Sequence, residues 1–466
     1  MATSISETLA RWAVDQQQIT LASDTAKQAK MALLDFFGVT LGGANIPSAQ
    51  VIRAMALAQG GAPEATLLGF HHRVPGLSAA RANGTAGHAL DMDDGHKLAA
   101  GHPGVTVIPA ALAAAEIMDA SGSELLTAIA VGYEVFVRIA SAMNPSHLDR
   151  GFHTTGTIGP LGAAAAAGLL LGLNQRQLTH ALGAAASSAS GLFQVLHEGA
   201  MFKPVHAGRA AEAGLFAAIW AMHGGEAPRF ALDGQDGLLR AYAERVDPAL
   251  ITADLAEPQA ILGMYVKLHS ACRHVHAAVD AGLELFHHRG LNPDAVCAIE
   301  VDTYEVADRM TGHKGDVRDI PTARFSLPFC LALAAFRGAA GPIEFVDSTL
   351  NDDQLHSFTR KVTVREDPAL TALYPHERGA RLMVHMDNGD TETICVMFPR
   401  GEPENPATDA EYHAKFRANA ADFIDEDSSE QVIAAVEQLE SHPLCDTLRL
   451  MSVKEAQTDL VVTVGH

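Results

Sequence analysis

Three stretches in the middle of the chain, 154–173, 175–190 and 204–223, are built so heavily from Ala and Gly that helices formed there carry almost no side-chain padding. Such helices must approach one another closely or be buried all round, since they offer no polar face wide enough to meet water. A sheet-based core is thereby excluded for this half, and a tightly packed helical domain is expected. The surrounding residues agree: Ser4-x-x-Glu7 and Ser121-x-x-Glu124 have the spacing of helix capping boxes, and Asp24 can cap a segment that runs to Thr40 and stops at Leu41-Gly-Gly. The most apolar run, 158–173, carries Pro160 and is shorter than the ~20 residues of a membrane span, so it reads as a buried helix.

The pattern changes after residue 265. A helix is expected from about Ala271 to His288, followed by a β-branched, alternating strand over 295–304 (Val296, Ile299, Val301) and a return to helical spacing at 326–336. Lys361–Arg365 reads as a further strand. Then 381–386 and 391–398 flank Asp387-Asn388-Gly389-Asp390, where Asn-Gly suits the positive φ angles of a type I′ hairpin turn. Pro399 to Pro406 forms a Pro-rich linker, and two amphipathic helices follow near 408–423 and 428–439. The predicted organisation is mainly α: a large all-helical domain over 1–265, an inserted smaller α+β domain over 266–400, and C-terminal helices over 401–466 that return to the helical domain.

Charge narrows the partners. With 33 Lys+Arg against 55 Asp+Glu the formal net charge is -22, whereas nucleic acid and anionic membrane both demand clustered Lys and Arg. Neither partner is expected. The five cysteines are odd in number and contain no C-x-x-C pair, which argues against a disulfide framework or zinc ribbon and for a reducing, cytoplasmic compartment. The N-terminal residues lack the basic and apolar regions of a signal peptide.

Four polar elements stand out against this apolar background. The first runs from Asn83 through His88, Asp91, Asp93, Asp94 and His96 to His102-Pro-Gly104, three carboxylates and three histidines crowded against Ala and Leu. The second is Gly151-Phe-His153-Thr-Thr155-Gly156, ahead of a Gly-spaced helix start whose free N–H groups could cradle a carboxylate. Gly at every third position serves close helix packing equally well. No Walker A loop, dinucleotide fingerprint or G-x-S-x-G elbow occurs. The third is Lys203-Pro204-x-His206, and the fourth Lys267-x-His269-Ser-Ala-Cys272-Arg273-His274-x-His276, in which helical spacing would put Cys272 and His276 on one face and Arg273 on another. Lysines are scarce here, so two of them before helix starts in apolar surroundings suggest ligand contact. The Asp/His cluster also suits a metal-dependent hydrolase, although H-E-x-x-H and His-Asp pairs are missing.

In this order the elements resemble the MmgE/PrpD family. The resemblance also rests on Leu33-Leu-Asp35-Phe-Phe-Gly38, Gly132-Tyr133-Glu134, Arg324-Phe-Ser326-x-Pro328 and Pro399-Arg-Gly-x-Pro403-x-Asn405-Pro406, and spans essentially the whole chain. It implies a homodimer of two-domain subunits and a reaction on a small polycarboxylic acid with no cofactor and no metal. Its members include 2-methylcitrate dehydratases, cis-aconitate decarboxylases and an iminodisuccinate epimerase. By that resemblance Asp91, His153, Lys267 and Cys272 are the expected catalytic residues, and His102, Thr155, Lys203, His206 and Arg273 the expected substrate-binding residues. His153 and Lys267 form the expected acid/base pair, with Lys203, His102 and Arg273 anchoring carboxylates at about 1.5–3 kcal/mol per charge-assisted bond. Two departures weigh against decarboxylation: Gly95-His96 stands where the decarboxylase has Thr and Trp, and Cys272 where it has His. The expected reaction is therefore epimerisation of an iminodisuccinate-type substrate, with 2-methylcitrate-type dehydration as the alternative.

Overall fold

The computed structural model describes residues 3–198, 201–312 and 317–451. The chain divides into two compact units. One comprises the residues up to Ala89, Asp93–Met264 and the segment from Thr408 on; the other comprises Leu90–Met92 and Tyr265–Ala407. The three-residue excursion at Leu90–Met92 leaves no trace in the hydropathy pattern.

The first unit is helical. Both capping boxes form: the Ser4 hydroxyl accepts the Glu7 N–H at 3.2 Å while the Glu7 carboxylate accepts the Ser4 N–H at 2.8 Å, and Ser121 with Glu124 does the same. Asp24 does not cap. That helix spans Ser23–Gly43 with Ala22 at the cap position, and Asp24 lies inside the first turn. The Ala/Gly helices are Thr154–Leu170, Gln175–Ser187 and Lys203–Met222, and every residue of the first is buried. Its glycines explain how. A Cβ at Gly162 would lie 2.7 Å from the Gly132 carbonyl oxygen, so glycine there permits backbone-to-backbone packing, and one at Gly159 would lie 2.7 Å from Thr106 Cγ2 and 2.9 Å from the Ala210 Cβ, so glycine there admits the side chains of neighbouring helices. After the second unit the chain comes back as Asp409–Ala420, which packs on Ser23–Gly43 with Phe416 over Gly38. The helix Gly122–Met143 is long and apolar enough to cross a membrane, but 83% of its most apolar window is buried inside the protein.

The second unit is built on a four-stranded sheet of β1 (Val296–Thr303), β2 (Val362–Glu366), β3 (Ala380–Met386) and β4 (Thr391–Val396), in the order β2-β1-β3-β4. β1 pairs parallel with β2 and antiparallel with β3, with Val301 opposite Val364 and Leu382. Ile299, Val301, Leu382 and Val384 share a core with the helices His276–Leu283 and Leu327–Arg337. Two expectations change. The hairpin turn gives positive φ to Gly389 (90°) and not to Asn388, the arrangement of a type I turn closed by a left-handed glycine rather than type I′. Residues Ala271–His288 do not form one helix: Cys272 precedes a 3-10 turn at Arg273–Val275, the α-helix is His276–Leu283, and Glu284–His288 is a π-helical turn. The helical-face argument that separated Cys272 and His276 from Arg273 therefore fails, and Arg273 Nη1 lies 3.1 Å from His276 Nδ1.

Candidate active site

The helical unit gathers four imidazoles in one cluster, two of them on a single carboxylate. His88 ends the helix Gly76–His88, and its Nδ1 lies 2.9 Å from Asp93 Oδ2. His102 Nδ1 lies 3.1 Å from the same oxygen and 2.6 Å from the Asp94 carbonyl. A carbonyl can only accept, so His102 Nδ1 carries a proton, and in the neutral ring the lone pair is on Nε2. The His102 backbone N–H donates to Thr155 Oγ1 at 3.2 Å, which ties this loop to the first turn of Thr154–Leu170. His153 stands at the cap position of that helix, its ring stacked on His88 with centroids 5.7 Å apart and its Nδ1 3.0 Å from His206 Nδ1. His206 lies on Lys203–Met222, one turn after Lys203.

Burial sets the charge states. It pulls His88 and His206 down to about 4 and His153 well below the usual imidazole range, each reinforced by the nearby Lys203 ammonium. At neutral pH all three rings are neutral, as a close Nδ1–Nδ1 contact between His153 and His206 requires of at least one partner. Asp93 moves the other way for a carboxylate in such surroundings. Burial raises it, but His88 and His102 more than offset this and hold it well below the usual range, so it is ionised.

Its neighbour Asp94 is the opposite case. Burial and the adjacent Asp35 and Asp93 push it well above the usual range, which favours its neutral form, and it accepts the Tyr133 hydroxyl at 2.9 Å. A Cβ at Gly104 would fall 2.2 Å from Asp94 Oδ1 and 2.6 Å from the Tyr133 hydroxyl, which is why His102-Pro-Gly needs its glycine. Behind it, the buried Asp35 pairs with Lys415 on the returning helix Asp409–Ala420.

The second unit holds a different set. Lys267 Nζ, 1% exposed, donates to Asp91 Oδ1 at 2.7 Å and to the Asp91 carbonyl at 2.9 Å, while the Ser270 hydroxyl donates to the Leu90 carbonyl at 2.6 Å. These contacts explain why Leu90–Met92 clusters with this unit. Asp91 has a left-handed backbone (φ 52°), uncommon for a residue with a Cβ and of the kind that collects at functional sites. Arg324 is also buried here; desolvation lowers its guanidinium to about 10 against the favourable field of Asp91.

Of the residues expected to bind or react, His102, Thr155, His153 and His206 come together in the first unit with Lys203 close by, and Asp91 and Lys267 pair in the second. Cys272 is buried, with its N–H on the Arg324 carbonyl at 2.9 Å. Arg273 does not fit the role of carboxylate anchor. Nε and Nη2 bind Glu402 at 3.1 and 3.0 Å, Nη1 and Nη2 reach the carbonyls of Val266, Arg400 and Pro399, and the guanidinium covers the Tyr265 ring. All three nitrogens are committed to the fold. Thr154 Oγ1 accepts from Asn144 at 3.4 Å and Thr155 Oγ1 from His102, so both hydroxyls tie the loop together as acceptors and keep an O–H to donate. Asp93, His88 and Asp94 were visible only as members of a polar cluster, and Tyr133, Asp35 and Arg324 only within motifs; nothing in the spacing marked their partners.

Donor atoms of His88, Asp93 and His102 lie within 4.8 Å of one another, a set that could hold a divalent ion. The hydrogen bonds run against it. Both Nδ1 atoms already point at Asp93, and His102 Nδ1 must keep its proton for the Asp94 carbonyl, so that nitrogen cannot ligate.

The MmgE/PrpD N-terminal domain matches residues 7–250 and the MmgE/PrpD C-terminal domain residues 269–441. The chain is 28% identical over 480 residues to the cis-aconitate decarboxylase-like protein oryM of Aspergillus oryzae, covering 96% of this chain and 97% of that one. It is 28% identical to the cis-aconitate decarboxylase of Mus musculus (83% of this chain, 80% of that one) and 26% identical to that of Aspergillus terreus (92% and 91%). With both domains matched in order along the chain, the protein belongs to the MmgE/PrpD family of enzymes.

Proposed function

We propose that this protein is a lyase that transfers a proton at the carbon beside a carboxylate of a small polycarboxylic acid. One observation carries the reading: Asp93 and the Asp94 carbonyl together hold Nδ1–H of His102, the ring of the cluster with solvent access (13% side-chain exposure), leaving Nε2 as a base. The Lys203 ammonium supplies charge for a substrate carboxylate, and the neutral His153 and His206 complete a surface that can donate or accept protons at neutral pH. The family resemblance makes Lys267 a catalytic residue, and its ion pair with Asp91 suits it to the role of fixed cation rather than to that of acid/base partner of His153. This moves the base from His153 to His102, because the His153 ring is 2% exposed and shares its Nδ1 contact with His206.

The relatives named above are decarboxylases or resemble them, which favours a lyase over the epimerisation expected from the sequence. Within lyases we favour loss of water, because Cys272 and Gly95-His96 replace residues of the decarboxylase pattern. Five free cysteines accord with a reducing cytoplasmic setting, and a homodimer is proposed on family likeness alone.

The test is incubation in D2O with 2-methylcitrate, cis-aconitate and iminodisuccinate, followed by proton NMR. A new alkene signal from 2-methylcitrate is expected. Carbon dioxide release from cis-aconitate would replace dehydration by decarboxylation, and inversion with deuterium uptake and no alkene would restore the epimerase. Stoichiometric metal in the purified protein that turnover requires would favour the hydrolase reading instead.

A further inference from the structure

Beside the imidazole cluster the helical unit has a cavity of about 390 Å³, between 190–198 and the start of the helix Lys203–Met222. That volume lies near the lower end of small-molecule pockets. Its walls include Leu192, Val195 and Phe202, and His206 is its only buried lining residue, so the cavity ends on a ring of the candidate site. His206 in turn contacts His153, while Phe202 lies edge-on to His206 with centroids 5.7 Å apart. Leu192 and Phe202 are 57% and 48% exposed, an unusual state for large apolar side chains lining one concave surface. The charged lining residues, Glu198 and Arg209, are of opposite sign and exposed, so they give the cavity no net preference for a further carboxylate.

From this we infer that the enzyme takes polycarboxylates bearing an apolar substituent, with the acid groups at the histidine and Lys203 end and an alkyl chain of several carbons along Leu192, Val195 and Phe202. The inference rests on the polycarboxylate reading. A substrate made only of carboxylates would leave these side chains wet, whereas an alkyl chain removes them and itself from water.

Calorimetric titration of the full-length protein with succinate and its 2-methyl, 2-propyl and 2-hexyl derivatives tests it. Affinity is expected to rise about fourfold per buried methylene, the equivalent of ~0.8 kcal/mol each. Leu192→Arg, at an exposed position, should abolish that gain while leaving the succinate affinity unchanged. Succinate binding with no gain along the series overturns the apolar subsite and leaves the polycarboxylate reading intact. A gain that survives in Leu192→Arg also overturns this placement. Failure of every member to bind overturns the polycarboxylate reading and the subsite with it. Should the series be flat and Leu192→Arg split a dimer in sedimentation, the surface belongs to a second copy of the chain and the subsite is overturned.

Discussion

Each unit holds buried ion pairs and neutral imidazoles, Asp35–Lys415 in the helical unit and His274 and His276 in the second, but the centres of the two candidate sets differ. In the helical unit His88, His153 and His206 are neutral and only Asp93 is held ionised among them. In the second unit buried charge is paired: Lys267 with Asp91 and Arg273 with Glu402. Neutral imidazoles whose tautomers are fixed by neighbours can pass protons, whereas a closed ion pair presents a constant field and resists a change of charge. The first arrangement suits an acid/base centre, and the second suits a scaffold for charge. Removing the carboxylate from one and a cation from the other should therefore fail in different ways.

The largest effect is expected from Asp93→Asn. The Asp94 carbonyl still holds Nδ1–H of His102, but the imidazolium formed on proton abstraction loses its counter-ion, so kcat should fall about 10²–10⁴-fold, with the fold retained. Steady-state kinetics beside circular dichroism checks this, and unchanged kcat would end the assignment of His102 as base. Lys267→Met should cost stability instead, about 3–5 kcal/mol in urea unfolding, because it strands the Asp91 carboxylate. Adding Asp91→Asn should recover much of that loss. If the double variant is as unstable as the single one, the pair is not a closed charge unit.

Arg273→Met sharpens the same contrast within the second unit. It leaves Glu402, 2% exposed, without its cation, so a loss of similar size, about 3–5 kcal/mol, is expected while the folded fraction keeps its KM. A raised KM with normal stability would return Arg273 to the role of carboxylate anchor.

Features confined to a few residues were legible in the sequence. The capping boxes at Ser4 and Ser121 need only four residues each, and the strands β1 to β4 announce themselves by alternation. What depended on distant partners was not. The turn around Asn388 turned on which residue took positive φ, and the interruption before His276 on Arg273 reaching Glu402. The site divides in the same way. His102, His153, His206 and Lys267 could be singled out as residue types in motifs, but the sharing of Asp93 by two rings, and the placing of Asp94 against Tyr133, are products of packing. Lys415 illustrates the limit: it reads as one polar residue of a surface helix, yet it is buried against Asp35 from the opposite end of the chain.

The smallest effect is a slope in stability with pH, and its sign follows from which groups the helical unit keeps neutral. His88, His147 and His206 fall to about 4 in the fold, chiefly through burial, against about 6.5 in an unfolded chain. Between those values the unfolded state binds protons that the folded state refuses, so stability should drop as pH falls from 6.5 to 4, by at most about 1.4 kcal/mol per pH unit for each ring. Asp94 and Asp35 act in the other direction, since a carboxyl raised in the fold loses stability as pH rises above its unfolded value. Three rings outweigh two carboxyls over this range, so the net slope keeps the sign set by the rings. Urea midpoints should thus rise from pH 4 towards 6.5, and Asp94→Asn should steepen that rise, because it removes a carboxyl whose slope opposes the rings. A rise left unchanged in that variant would show that Asp94 is ionised in the fold, and would remove the contrast between it and Asp93.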